Sequence, residues 1–546
     1  MERLTRAWVV ALFRSGALSR FILWRSRRLG DLQRRSGAIG NAGATARDSV
    51  RRTLRGEVIV LPVALVGALV LSPLLALLVA APLLFLAVPE LILRDRVAQR
   101  KEGVDRELPF FSVFASVLGG AGVSLYGIMK GLALSDVFPR MSTEARLVVR
   151  DVEIFGMNPN EAMERLASLN PSRRFASYLT GYTSKSRSGG DVATYLTNEG
   201  GTLLRQMEDE WVRYVARVGI IGSLMITLFG VVPLLLMVMG VFSPGFSITG
   251  LVLFTALGVP VSTVGLLYLA GQMQPIRDAV PRGRAAFSLV LAAPGLGAGV
   301  YFGQLWMGIA AFLVVTFGCY GVAVRKELAE ATQIEAGLSG FLNDLLEFKR
   351  QDYDLARAVV AIQRSNQYNG PFDRILATVA RRLRAGIPLD EIGVECRSRL
   401  VRLNFLLLGQ MSRSGGGTVE TVYQVANFSE RMREMRRNAA AEMKPYLILS
   451  YVSPLLLAFG ITFVGGVLSS FGGRIGVLGL KAGSAGSVPP AMGQVSDILI
   501  VVSAAALGLI GAKISDFTAR STLMASVNVA LAAGAISAMA LLSHIY

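Results

Sequence analysis

This chain is poor in the residues that most enzyme chemistry needs. It has two cysteines, Cys319 and Cys396, and one histidine, His544, in 546 residues. A Cys/His metal cluster is therefore excluded, no structural disulfide is expected, and a Ser/His/Asp set has no histidine to use outside the C-terminus. None of its eight lysines follows a glycine, so no phosphate-binding Walker loop exists. No cofactor and no catalytic residue can be assigned, and the chain reads as a non-enzyme. Charge is also scarce, at 17% of residues against 52% hydrophobic, a balance rare in soluble proteins of this length. Segments that alternate like a half-buried strand are missing too. What remains is an all-α, polytopic membrane protein.

The charge that is present is one-sided: 56 Lys and Arg against 38 Asp and Glu, a net of +18. Its placement matters more than its sum. Residues 1–57 hold 13 Arg against four acids, with Trp8, Phe13, Phe21 and Trp24 interleaved. The opening apolar stretch is too short for a signal, so this segment is read either as lying on an anionic membrane surface or as a solvated basic tail. Val58–Pro89 carries no charge, is too long for one span, and has Ser72-Pro73 at its middle, so 58–93 reads as a transmembrane hairpin. Further spans are Val218–Phe242, Ile248–Ala270, Ala285–Phe302, Leu305–Val324, Tyr446–Ser470, Asp497–Ala512 and Ser521–Ser543, nine in all. With a cytoplasmic N-terminus, only Arg474 and Lys481 of the basic residues fall outside, in loop 471–495. The positive-inside rule then accounts for the basic charge, and nucleic acid is not needed.

Two long inside segments, 94–217 and 325–445, have helical periodicity and are each read as a six-helix bundle. In the second, Pro388 is taken to open the fourth helix and Thr418 the sixth. The five-residue stretch SRSGG occurs at Ser186–Gly190 and again at Ser412–Gly416, each time before the long helix that feeds a span. About 40 residues later each span carries a Val-x-Pro-Leu-Leu-Leu run. Upstream, GMNPNEA at Gly156 and GIPLDEI at Gly386 occupy the same turn. Three landmarks in one order define a duplication. Ser188, Gly189, Gly190 and Ser414, Gly415, Gly416 are expected to form left-handed helix ends, with the second Gly permitting close helix packing.

A bundle, a Ser-Gly turn and a long helix entering the membrane, all in duplicate, resemble the F domain of type II secretion and type IV pilus systems. The whole chain is most similar to archaeal archaellum and pilus platform proteins, and less so to Tad pilus inner-membrane proteins. The family's Glu two residues before Ser-Gly is replaced by Ser186 and Ser412, so no role of that acid carries over. The resemblance implies a non-enzymatic platform in the cell membrane. It implies two partners, a cytoplasmic hexameric secretion-type ATPase and pilin-like filament subunits.

Candidate ATPase contacts are Lys349, Arg350, Arg381, Arg382 and Arg384, cations at the ends of the first and third helices of the second bundle, together with Arg187 and Arg413 beside the turns. Each set also suits its helix end electrostatically. Gly295, Gly299 and Gly303 form a small-residue face, either a homodimer seam or packing within the chain. The alternatives are a transporter built from parallel repeats, which the uncharged span centres disfavour, and a docking scaffold unrelated to filaments.

Overall fold

The computed structural model describes residues 16–37, 84–135, 137–242, 244–275, 285–301, 303–415, 417–477 and 490–545, with isolated positions between 44 and 50. Every regular element among them is helical. Internal contacts divide the chain into two units, 1–204 with 414–416, and 205–413 with 417–546.

The first unit opens with α1 (Gly16–Ser36), which packs on α2 (Leu84–Gly120). Leu29 and Leu93 are buried together, and Arg28 pairs with Glu90 at 2.7 Å. Residues 16–36 are thus not a solvated tail, although Leu23 and Trp24 remain exposed on the outer face. The stretch 58–83 lies outside the described residues. From Leu84 the chain is already helical and runs through Pro89 and Pro109 without a break, so helix one begins before residue 94, the expected start of the first bundle. Then come α3 (Leu125–Ala133), α4 (Pro139–Glu153), α5 (Pro159–Leu169), α6 (Arg173–Arg187) and the start of α7 (Val192–Ile226). Six helices are what the first inside segment predicts.

Sequence explains where these helices start. Ser124, Asn158 and Ser172 each turn a side-chain oxygen back to an orphan backbone N–H of the first turn. The core is aromatic: Phe111 meets Phe175 and Tyr178 edge-on, with centroids 6.2 and 5.9 Å apart.

In the second unit, α7 continues through a π-helical turn (Thr227–Val231) into α8 (Val232–Phe242). Next are α9 (Pro244–Leu253), a second π turn (Phe254–Gly258), α10 (Val259–Met273) and α11 (Ala285–Tyr301). A 46-residue helix, α12 (Leu305–Arg350), leads to α13 (Leu355–Ser365) and α14 (Gly370–Arg384). Here the expected fourth helix fails. Leu389–Glu391 is a single 3-10 turn, and irregular chain follows to α15 (Arg399–Ser414), leaving five helices rather than six. Last are α16 (Val419–Glu442), opened by a Thr418–Thr421 capping box, then α17 (Lys444–Val477), α18 (Pro490–Ser515) and α19 (Leu523–Ile545).

Among the described residues, six stretches are helical, long enough and apolar enough to cross a bilayer: 192–237, 249–273, 305–350, 419–464, 493–515 and 523–541. The fifth expected span is present as the shorter α11. The protein is an all-α, multi-pass membrane protein. Helices α17 and α18 extend into the ends of loop 471–495, whose middle lies outside the described residues. Hydrogen bonds between helices hold the C-terminal group: Asn528 Nδ2 donates to Ser450 O at 3.1 Å, Ser450 Oγ to Leu507 O at 3.0 Å, and Ser526 Oγ to Val314 O at 2.9 Å.

Candidate functional site

The duplicated turns can be compared by backbone conformation. Left-handed φ values occur at Gly122, Gly156 and Gly189 in the first copy, and at Asp352, Gly386 and Gly415 in the second. The first two pairs share one offset, since 352 − 122 and 386 − 156 both equal 230; the third gives 415 − 189 = 226. The four missing residues fall between Gly386 and α15. There the first copy builds the 11-residue α5 and the second has only its 3-10 turn. Four residues are about one helical turn, so the second copy has that much less chain from which to build helix four.

Gly189 and Gly415 take φ +67° and +68°, as the Ser-Gly-Gly turns require. A Cβ at either would meet nothing within 4 Å, so the glycine serves conformation alone. Close helix packing is not the reason for the second glycine either: a Cβ at Gly190 meets Lys185 and Ser188 of its own turn. Ser188 Oγ donates to Lys185 O, and Gly190 N–H donates to the same carbonyl at 3.0 Å. Gly416 lies outside the described residues.

Both turn arginines reach the segment before their own helix five. Arg187 pairs with Glu164 at 2.8 Å and Arg413 with Asp390 at 3.5 Å. At the opposite end of helix five is a matched pair that did not stand out in the sequence. Ser172 and Ser398, which precede helix five in each copy, donate their hydroxyls to Asp105 and to Glu335 Oε1, acids of helix one. Asp105 and Glu335 are 230 positions apart; only an alignment in that register would have shown them.

The remaining candidate cations sit as follows. Lys349 Nζ donates to Tyr353 O at 3.2 Å, and Arg350 pairs with Glu347 of its own helix at 2.8 Å. Arg382 Nη1 donates to Gly393 O, Arg384 Nη2 donates to Gln363 Oε1, and Arg381 is exposed. Arg382 also borders an open groove of about 460 Å³ left where helix four is missing, with Glu330, Arg374 and Arg397 on its walls. Burial pushes the Cys396 thiol of this groove up, away from the reactive thiolate.

Gly295 and Gly299 are both filled by α12 of the same chain: a Cβ at Gly299 would lie 2.4 Å from Gly308 Cα. Gly303, at φ +69°, is instead the left-handed end of α11.

An all-α membrane protein whose apolar helices continue from two copies of one helical domain is the class defined by this geometry. The family model of the type II secretion system protein F matches residues 110–240 and again 341–466, so the chain carries two F domains in tandem. Over these two stretches the chain is similar to that family. It is also similar to an uncharacterized protein of Methanocaldococcus jannaschii, at 21% identity over 67% of this chain and 69% of that one. No solved structure matches it.

Proposed function

We propose that the protein is the cell-membrane platform of a type IV pilus-like machine (archaellum, pilus or type II secretion). It couples a cytoplasmic ATPase to insertion of pilin-like subunits into a filament. The observation that carries this reading is the continuity of F domain and membrane helix. In the second copy, α12 runs unbroken from an apolar stretch into the bundle, and in the first, α7 runs from the bundle into an apolar stretch. Force applied to a bundle therefore reaches the membrane without a flexible linker.

Both bundles, 94–217 and 325–445, are placed in the cytoplasm with the N-terminus, and the ATPase is placed on the second bundle through Arg381, Arg382 and Arg384. Arg381→Glu, Arg382→Glu and Arg384→Glu together are expected to abolish co-purification with the secretion ATPase while leaving membrane insertion intact. Wild-type retention of the ATPase in low salt would move the contact elsewhere, most simply to the first bundle. For the orientation, a cysteine at Ser484 should react with an impermeant thiol reagent on intact cells and one at Ser365 should not. Protection of the Ser484 cysteine refutes the topology.

A further inference from the structure

Before α7 and α16 pass into their apolar runs, they line a groove of about 320 Å³ between them. Three carboxylates border it, Glu208, Glu434 and Glu442, against one guanidinium, Arg431. That guanidinium is already turned to Glu208, at 3.9 Å. The groove is thus locally acidic in a chain of net charge +18.

Trp211 lines the same groove. It is 3% exposed, and its indole N–H has no hydrogen-bond partner among the described residues. A buried donor left without an acceptor is costly and asks for an explanation. The ring cannot swing out to find one, because Tyr214 and Phe517 press it edge-on at 5.7 and 5.5 Å. Phe517 is itself held at φ +57°, a conformation a bulky residue adopts only under constraint. Val212, on the lip, is 70% exposed.

The depth of the groove narrows the choice of occupant. Glu442 lies four residues before the span that starts at Tyr446, and Glu208 ten before the one that starts at Val218. At 1.5 Å per residue these two carboxylates lie roughly 6 to 15 Å from the apolar edge, and Glu434, twelve residues before Tyr446, about 18 Å from it. Inner flanks of membrane helices carry Lys and Arg at that depth, and an extended flank also brings backbone carbonyls as acceptors for an indole N–H.

We infer that this groove seats the basic inner flank of a membrane-spanning partner helix. The inference deepens the platform reading and rests on its orientation. The cations meet Glu434 and Glu442, a flank carbonyl accepts from Trp211, and the partner's apolar run continues into the bilayer beside α7 and α17.

The test uses the full-length protein in lipid vesicles, with a photoreactive benzoyl-phenylalanine in place of Val212. Three synthetic probes are compared: a 20-residue Leu/Ala helix with a four-Lys flank, the same helix with a four-Gln flank, and the four-Lys flank as a soluble peptide. The Lys-flanked helix should cross-link about tenfold more than either of the others, as expected if each flank cation adds to membrane-surface attraction. Glu434→Gln with Glu442→Gln should remove most of that excess, while Glu420→Gln, elsewhere on α16, should not. Equal labelling by the Gln-flanked helix, or labelling untouched by the double Gln variant, overturns the proposal. Equal labelling by the soluble peptide overturns it in favour of a soluble partner. ATPase co-purification is measured on the same wild-type protein. If the ATPase is retained and the Lys-flanked helix does not cross-link, the groove assignment fails alone. If no ATPase is retained, the platform reading fails, and the orientation argument for the groove falls with it.

Discussion

Helix one meets helix three through an ion pair at equivalent places in both bundles, but with the charges exchanged. In the first copy Arg100 of α2 faces Glu144 of α4; in the second Glu330 of α12 faces Arg374 of α14. Both offsets are 230 (330 − 100 and 374 − 144). The environments differ sharply. Arg100 grips the Glu144 carboxylate with two nitrogens at 2.7 and 2.6 Å, and the side chains are 10% and 2% exposed. Arg100 also donates to Arg35 O at the end of α1, and Asn170 donates to Glu144. The second pair is 3.4 Å long, with side chains 39% and 74% exposed beside the open groove. The lesson is that one repeat spends this position on clamping α1 to its bundle, whereas the other leaves it at the surface. The bundle with the free surface is the one to which the ATPase contact is assigned above.

That contrast can be broken by mutation. Glu144→Ala leaves a buried guanidinium uncompensated, at a cost of about 3 kcal/mol or more, while Glu330→Ala should cost about 1 kcal/mol or less. Thermal unfolding of the full chain in detergent would measure both, and equal shifts would remove the distinction between clamp and surface pair.

The turns predict the opposite, a symmetric outcome. Gly189→Val and Gly415→Val should each cost about 1–2 kcal/mol, from left-handed strain alone, because neither Cβ meets a neighbour. Asp352→Gly should stabilise slightly, since it gives the second copy the residue the first has at Gly122. A much larger loss at only one of the two valine variants would show that one turn has a packing role absent from the other.

The smallest expected effect is at the start of helix six. Asp191 accepts from Ala193 N–H and Thr194 N–H, both at 3.0 Å, and these bonds with the Thr194 hydroxyl hold its carboxyl below the usual carboxylate range. A depressed folded-state pKa means the cap is complete above about pH 4 and is lost as pH falls through the folded value. The second copy caps the same helix with the neutral Thr418–Thr421 pair. Hydrogen exchange at Thr194 should therefore speed up on acidification to about pH 3, beyond the change in intrinsic rate, and that at Thr421 should not; parallel behaviour would cancel the difference.

How much of this was legible in the sequence follows from which signals are local. Glycine at 156, 189, 386 and 415 marked real left-handed turns, because only the backbone decides there. The third left-handed pair was hidden by Asp352 standing where the first copy has Gly122. The absent helix four was misread because Pro388 is a good first residue for a helix, and a starting signal says nothing about a four-residue deletion downstream. Among the described residues hydropathy located the spans but not their ends, since α12 and α7 cross the apolar boundary without a capping residue. The exchanged ion pair escaped entirely: a charge reversal looks like a mismatch when two repeats are laid side by side. The Gly295–Gly303 ladder pointed to close approach, but spacing alone does not say which helix approaches.

Helix α12 has one more consequence. It contains no proline among its 46 residues, and at 1.5 Å per residue it is an unbroken shaft about 69 Å long. A bilayer core of about 30 Å takes up less than half of that length. Such a shaft behaves as a lever. A tilt of about 10° about one end carries the other through about 12 Å, about the diameter of a helix.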